Sequence, residues 1–425
     1  MYGGEEISVM PESRCEIVRA IIRHMPMSKE LCLRCKGGRL LCGRPACPLL
    51  AKLMVRAPVE AKLGEHIFGP SPGIFVGWKG YPRVLAGPLT ALEEEKAQLC
   101  DNPAEWYGMG VDEIVRMRSM LVRSKAEVDV RSRSKIAELS QEIALSCVPT
   151  DTEVRFERKP SFSVSFSPFT QPLGPSAPVK KIELAGNPRI PGRVCSLAED
   201  EVSATHALKV LYDSGYDVYY LTRVLSSGAL GLEEKRRMVP TRWSITAVDD
   251  TLGRMLMKQV RGYPVLNEYR VYRSTYLDNH FEVLLMPRRW EYEMFEGWAP
   301  NTLWTLGLEK PAINAEHEGY HGRSDYAESE GGAYYAARLA VLEALRRMRR
   351  QAGAVVFREI YEGYIIPVGV WEVRENVRRA MRSRPEKFQS LREALADIAS
   401  RLRIPLREYL SRSALLQQRR LDDFA

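Results

Sequence analysis

Four of the eight cysteines crowd into one stretch, LCLRCKGGRLLCGRPACPLL, spaced Cys32-x2-Cys35-x6-Cys42-x4-Cys47. A C-x-x-C pair chelates one ion from a tight turn, and four soft thiolates complete the tetrahedron that zinc prefers. Gly37 and Gly38 permit the reversal between the pairs. Lys36, Arg34, Arg39 and Arg44 offset the charge of the thiolates. The expectation is a structural zinc site, closed because no coordination position is left open. The same ligands serve an iron–sulfur cluster, and buried thiols or two disulfides are the blander readings.

Two further constellations have catalytic spacing. HEGYH, from His317 to His321, has the H-E-x-x-H form of a zinc metalloprotease with Glu318 as base. That chemistry needs a helix, and Pro311, Gly319 and Gly322 around the motif point to a polar loop instead. Asp278, His280 and Glu282 alternate along one strand face, where Asp249 and Asp250 could join them to hold Mg or Mn for phosphodiester hydrolysis. The competing reading is a solvated strand face, salt-bridged to Arg270 and Arg273.

Basic and aromatic residues interleave at Arg242, Trp243, Arg288, Arg289, Trp290, Arg323 and Tyr334, as in single-strand nucleic-acid binders. Gly331 and Gly332 at a helix start expose N–H groups that suit phosphate, and close packing explains them equally well.

The elements that must position these groups read as α+β. Residues 64–89 are Gly- and Pro-rich with short apolar runs, hence strands and turns. Residues 111–146 lack Pro and Gly and predict one long helix. Ser196 to Gly215 predicts a single helix with a Ser196–Glu199 capping box, in which His206 is structural. TRWSITAVDD predicts an apolar strand, and 268–287 a hairpin turning at Asp278–Asn279. GGAYYAARLAVLEALRRM predicts a long helix, and AVVFREIYEGYIIPVGVWEV further strands. The fold class is thus a four-cysteine module on a mixed, mostly antiparallel sheet body with packed helices and a flexible C-terminal tail. The segments are a zinc module (1–60), a strand/turn segment with long helix (61–150), an α+β core (151–337), a basic helical and strand region (338–412) and a tail (413–425).

At 425 residues the chain exceeds one ordinary core. Hydrophobic content of 45% and charged content of 27% are those of a globular protein. No run approaches the about 20 apolar residues of a membrane span, and the first residues lack a signal-peptide core; the expectation is no membrane and a cytoplasmic location. The net charge of +8 lies wholly from Arg338 onward, with 19 Lys/Arg against 11 Asp/Glu, while the preceding residues balance at 43 against 43. A basic end on a neutral body is either a phosphate-binding face or a solvated surface of Arg-rich helices.

The last residues, QQRRLDDFA, place Gln418, Leu421 and Phe424 three apart. In a 3₁₀ turn such residues eclipse, lining up one amide and two apolar groups. The spacing resembles the PIP box that docks on the PCNA sliding clamp, with Ala425 where many boxes carry a second aromatic. The alternative is a last helix with a Leu410–Ala414–Gln417–Leu421–Phe424 stripe. Taken with CLRCKGGRLLCGRPACP, FGPSPGIFVGWKGYPRVLAGPL, QPLGPSAPVKKIE and PTRWSITAVDD, the chain resembles the archaeal Nre family. The resemblance implies a DNA repair factor working with PCNA and DNA, with zinc on the four cysteines, and supplies no active site. A metal-dependent enzyme on nucleic acid is the rival expectation, and the metalloprotease a third.

Overall fold

Runs of alternating apolar residues build two six-stranded sheets in the computed structural model, which describes residues 35, 47, 56–162, 173–302, 305 and 308–417. Cys32, Cys42, Gln418, Leu421 and Phe424 lie outside the described residues. In chain order the first half runs α1 (Arg56–Glu60), β1 (His66–Ser71), β2 (Gly73–Val76), β3 (Arg83–Ala91), α2 (Ala97–Cys100), α3 (Val111–Ser119), β4 (Leu121–Asp129), α4 (Lys135–Leu145), β5 (Thr150–Phe156) and β6 (Ser176–Leu184). Then come α5 (Gly192–Glu199), α6 (Ala204–Asp213), α7 (Val218–Ser227) and α8 (Thr241–Val260). The second sheet follows with β7 (Tyr269–Tyr276), β8 (Asn279–Met286), β9 (Glu291–Trp298), β10 (Ala312–Glu318), α9 (Gly332–Met348), β11 (Gly353–Ile360), α10 (Val370–Ala380), β12 (Glu386–Phe388), α11 (Leu391–Ala399) and α12 (Leu406–Leu410).

The sheet orders are β1-β5-β6-β4-β3-β2 and β10-β9-β11-β8-β7-β12. Among the strands of the described residues only the β4/β6 and β9/β11 pairs are parallel, so the expected mixed, mostly antiparallel α+β body is what forms. In the first sheet, Val84, Val122, Val128 and Val154 pack under Ala137, Ile143 and Ala144 of α4. The second sheet is covered on one face by α8, α9 and α10 and on the other by α11 and α12. Trp106, Leu89 and Leu121 meet Trp298, Tyr364 and Trp371 in a core shared by both sheets.

The helix predicted over 111–146 is three elements. Val122, Ala126 and Val128 alternate inward along β4 while Lys125, Glu127 and Asp129 point outward. This period of two is masked by helix-favouring residue types, and pairing with β3 and β6 decides it. TRWSITAVDD, expected as a strand, opens α8: Val248, Leu252, Leu256 and Val260 form a buried i, i+4 stripe. The helix expected from Ser196 to Gly215 breaks after Glu199, and Ser203 caps α6 by accepting the His206 N–H. Gly215, at φ 96°, closes α6 as expected. The capping box lies at Ser390–Glu393 instead. After β11, residues expected as strand enter α10. Hydrogen-bonded units run across 150/151 and 337/338, since β5 and β6 complete the sheet of β1–β4 and α9 spans both sides of 337.

Three long helices run parallel. A Cβ on Gly332, in the first turn of α9, would meet Val370 Cγ1 of α10 at 3.0 Å and Thr246 Oγ1 of α8 at 3.5 Å. At the far end Arg347 Nη2 donates to Met381 O at 3.2 Å, and Gln351 Nε2 donates to Arg261 O at 3.2 Å. All three N-termini therefore gather at one end and all three C-termini at the other.

Candidate functional site

Strand alternation in the second sheet sends charged side chains to both of its covered faces. On the face under α11 and α12, β8 presents His280 and Glu282, β9 presents Glu293, and β11 presents Glu359, beside Leu284, Phe295 and Phe357. These carboxylates are occupied. Glu282 grips Arg401 in a two-oxygen fork at 2.6 and 3.0 Å, and His280 Nε2 lies 3.0 Å from the same carboxylate. Glu359 accepts from the N–H groups of Arg403 and Ile404 at 2.8 and 2.9 Å, and from the hydroxyls of Tyr361 and Tyr409 at 2.7 and 2.9 Å. Glu293 accepts from Ser413 Oγ at 2.5 Å and from the N–H groups of Ala414 and Leu415 at 2.6 and 3.4 Å. Burial pushes the Glu293 carboxyl up, and these three donors oppose the push. The segment 401–417 is thus pinned to the sheet at three points by buried acceptors, and each point uses charge-assisted bonds from backbone N–H groups or a guanidinium.

The face under α8–α10 carries a second polar network. Arg358 binds Glu296 at 2.7 Å, Asn279 Oδ1 at 2.7 and 3.0 Å and Glu372 at 3.4 Å. Asn376 donates to Glu372 at 2.9 Å. Burial raises the Glu372 carboxyl to about 7 against the pull of Arg358. Arg374 forks onto Asp249 at 2.5 and 3.2 Å and covers the Tyr219 ring at 5.0 Å. Arg338 bridges Glu318 and Asp250 at 2.6 and 2.5 Å. Glu330, just before α9, is buried and neither carboxylate oxygen has a hydrogen-bond partner. Burial, with Glu296 and Glu316 nearby, pushes its carboxyl well above the ordinary range. Such networks orient helices on a sheet, and a buried charge is stable only while its partner stays.

The residues expected to form a catalytic face do not gather. Leu277 and Asp278, both at positive φ, make the two-residue turn between β7 and β8, one position earlier than expected. Asp278 therefore lies outside the strand and accepts the Gly363 N–H at 2.5 Å. His280 and Glu282 share a face, as expected, and meet Arg401 there rather than open solvent. Asp249 sits on the opposite side of the sheet with Arg374. Among the described residues no three His, Cys, Asp or Glu side chains are placed to hold a metal ion. His317 and Glu318 end β10 and His321 follows in a turn, so the H-E-x-x-H letters have no helix.

The basic residues singled out from sequence scatter. Arg242 is exposed at the start of α8, and Arg289 is exposed between β8 and β9. Arg288 reaches Leu415 O at 3.4 Å. Arg323 is held by Glu316 and Asp325 at 2.8 and 3.0 Å and stacks on Tyr334 at 5.1 Å. Cys35 is buried and Cys47 half-buried. Sequence reasoning passed over Glu293, Glu359, Arg358 and Arg374. Their signal was present, since FREI, YEMFEGW and WEVRENV place charges at positions that an apolar pattern assigns to the interior.

Among the described residues no helix is long and apolar enough to cross a membrane. The family model described as archaeal Nre, N-terminal, matches residues 41–305, and that described as archaeal Nre, C-terminal, matches 318–424. The chain is 37% identical to a protein named DNA repair protein NreB from Archaeoglobus fulgidus, over 92% of this chain and 97% of that one. It is 39% identical to a DNA repair protein NreA of the same organism, over 87% and 93% of the two chains. A DNA repair protein NreA from Haloferax volcanii is 36% identical, over 86% and 90%. No solved structure matches the chain.

Proposed function

The chain belongs to the archaeal Nre family, and on that premise we propose that it is a DNA repair factor tethered to the PCNA sliding clamp by Gln418, Leu421 and Phe424. The observation that carries the tether is the mount beneath it. Glu282, Glu359 and Glu293 fix residues 401–415 to the sheet, and the Q-x-x-L-x-x-F spacing starts three residues beyond Leu415. A hook so placed would offer an amide and two apolar side chains from a fixed base, and the charged pairs Arg419–Arg420 and Asp422–Asp423 in its sequence favour solvent over a buried helix. Tethering raises the local concentration of the protein at DNA without demanding a tight site of its own.

Cys32, Cys35, Cys42 and Cys47 would hold a structural zinc. The described pair fits, since the buried Cys35 and half-buried Cys47 are soft donors with limited access to solvent. The ion would supply cross-linking of a short segment rather than chemistry on a substrate.

Co-elution of the purified chain with an archaeal PCNA ring tests the tether. The wild type is expected to shift with the ring, and Leu421→Ala/Phe424→Ala to elute alone while its unfolding temperature stays unchanged. Unaltered co-elution of that variant would exclude the hook.

A further inference from the structure

The parallel arrangement of α8, α9 and α10 has a consequence at the end where they stop. Arg347, Arg349 and Arg350 close α9, and Arg379, Arg382 and Arg384 close α10, with the two ends joined by the bond from Arg347 Nη2 to Met381 O. All six side chains are exposed. Arg347 and Arg350 donate only to backbone carbonyls, Met381 O and Arg349 O. The guanidinium groups of Arg349, Arg379, Arg382 and Arg384 have no hydrogen bond or ion pair among the described residues. The carboxylates in the neighbourhood are already engaged: Asp213 by Arg346, Glu343 by Arg378, and Glu268 by Arg270 and Lys387.

Complementing helix dipoles does not account for so many charges. One or two cations near a C-terminus contribute about 0.3–1 kcal/mol, and the effect fades within the last turn. Arg382 and Arg384 lie beyond Ala380, the last residue of α10. Six exposed guanidinium groups, none paired with a carboxylate among the described residues, concentrate positive charge at this end of the helices, and a polyanion complements such a surface. The backbone beneath them is set by turn bonds, from Arg382 N–H to Arg379 O at 3.2 Å and from Ser383 N–H to Ala380 O at 2.9 Å. Among the described residues the exposed aromatic side chains Phe68 and Trp78 lie with the first sheet, away from this patch, which favours backbone contact over stacking on unpaired bases.

We propose that the joined C-terminal ends of α9 and α10 bind the phosphate backbone of duplex DNA, without reading its sequence, through Arg349, Arg379, Arg382 and Arg384. This assignment rests on the repair reading above and supplies the DNA-facing surface that the clamp hook lacks. It is separate from Arg242, Arg288, Arg289 and Arg323.

The test is fluorescence anisotropy of the full chain with a random-sequence duplex, at several salt concentrations from 50 to 200 mM. Each neutralised phosphate contributes about 0.9 to the slope of log K against log salt, so Arg349→Ala/Arg379→Ala/Arg382→Ala/Arg384→Ala should lower the slope by about 3–4 and weaken binding at low salt by more than about tenfold. Arg379→Ala/Arg384→Ala should lower it by about 2, which keeps the test alive if the fourfold variant misfolds. The fourfold Arg→Lys variant should keep the wild-type slope. Unchanged slope and affinity in a folded alanine variant would overturn the proposal, as would absence of duplex binding by the wild type. A loss confined to single-stranded DNA would overturn the duplex assignment. PCNA co-elution should be intact in every arginine variant, so failure of the clamp reading and failure of this surface are told apart.

Discussion

Replacing Glu359 by Leu should release the C-terminal segment from the sheet while leaving the sheet itself folded. Leucine keeps roughly the bulk of the side chain and removes every acceptor. Four donors then lose their partner: the N–H groups of Arg403 and Ile404, and the hydroxyls of Tyr361 and Tyr409. Arg403 is exposed and can turn to water, whereas Ile404, Tyr361 and Tyr409 are buried. An unsatisfied buried donor costs about 1–3 kcal/mol, so three of them cost about 3–9 kcal/mol. Removing a buried charge returns part of that, which leaves a net loss of about 4 kcal/mol. Hydrogen exchange read by mass spectrometry is the assay, because local opening and global unfolding separate there. Protection of the amides of Ile404, Tyr409 and Leu415 should fall about a thousandfold, at about 1.4 kcal/mol per factor of ten. Amides of β8 and β11 away from the substitution should keep most of theirs. Glu359→Gln retains one carbonyl acceptor and should fall between the two. Protection at Ile404 within threefold of wild type in Glu359→Leu would refute the anchoring role.

The buried Asp249–Arg374 pair sets a second expectation. Asp249→Asn or Arg374→Met alone should destabilise by about 3–5 kcal/mol in denaturant unfolding, and Asp249→Leu/Arg374→Met should recover most of it. Glu372 governs a pH effect. Its folded value of about 7 lies above the ordinary 4.5, so the folded state keeps a proton that the unfolded chain releases between those values. Its contribution therefore falls as pH rises through that window, by about 3 kcal/mol at about 1.36 kcal/mol per unit. Glu372→Gln should flatten the decline in urea midpoints measured from pH 4.5 to 7. Metal analysis should find one zinc per chain, lost in Cys35→Ser; brown colour with visible absorbance would assign an iron–sulfur cluster instead.

Much of the fold and little of the site was legible beforehand. The hairpin of β7 and β8 and the long helix α9 stand close to where the pattern put them, since local alternation and an uninterrupted Ala- and Leu-rich run decide them. Residues 121–129 and 241–250 misled, because LVRSKAEVD has helix-forming residue types and TRWSITAVDD has strand-forming ones. Asp278 and Asp249 looked like members of one carboxylate group. A one-residue shift of the turn removed the first from the strand, and the helical state of α8 carried the second to the opposite face of the sheet.

The sequence by itself determined the family, the α+β class, the order of motifs and the concentration of positive charge after Arg338. These are properties of composition and local spacing, which no folding step can alter. Tertiary structure alone decided what the charges do. Glu293 and Glu359 become anchors, and Arg358 a buried pin, only because β-pairing between segments tens of residues apart turns them inward, and Arg374 becomes one because α10 sets it against Asp249 of α8. The exposed arginines become one patch only because α9 and α10 run parallel and end together. Long-range pairing chooses the partner of each charged group, and neighbours in sequence carry no record of that choice.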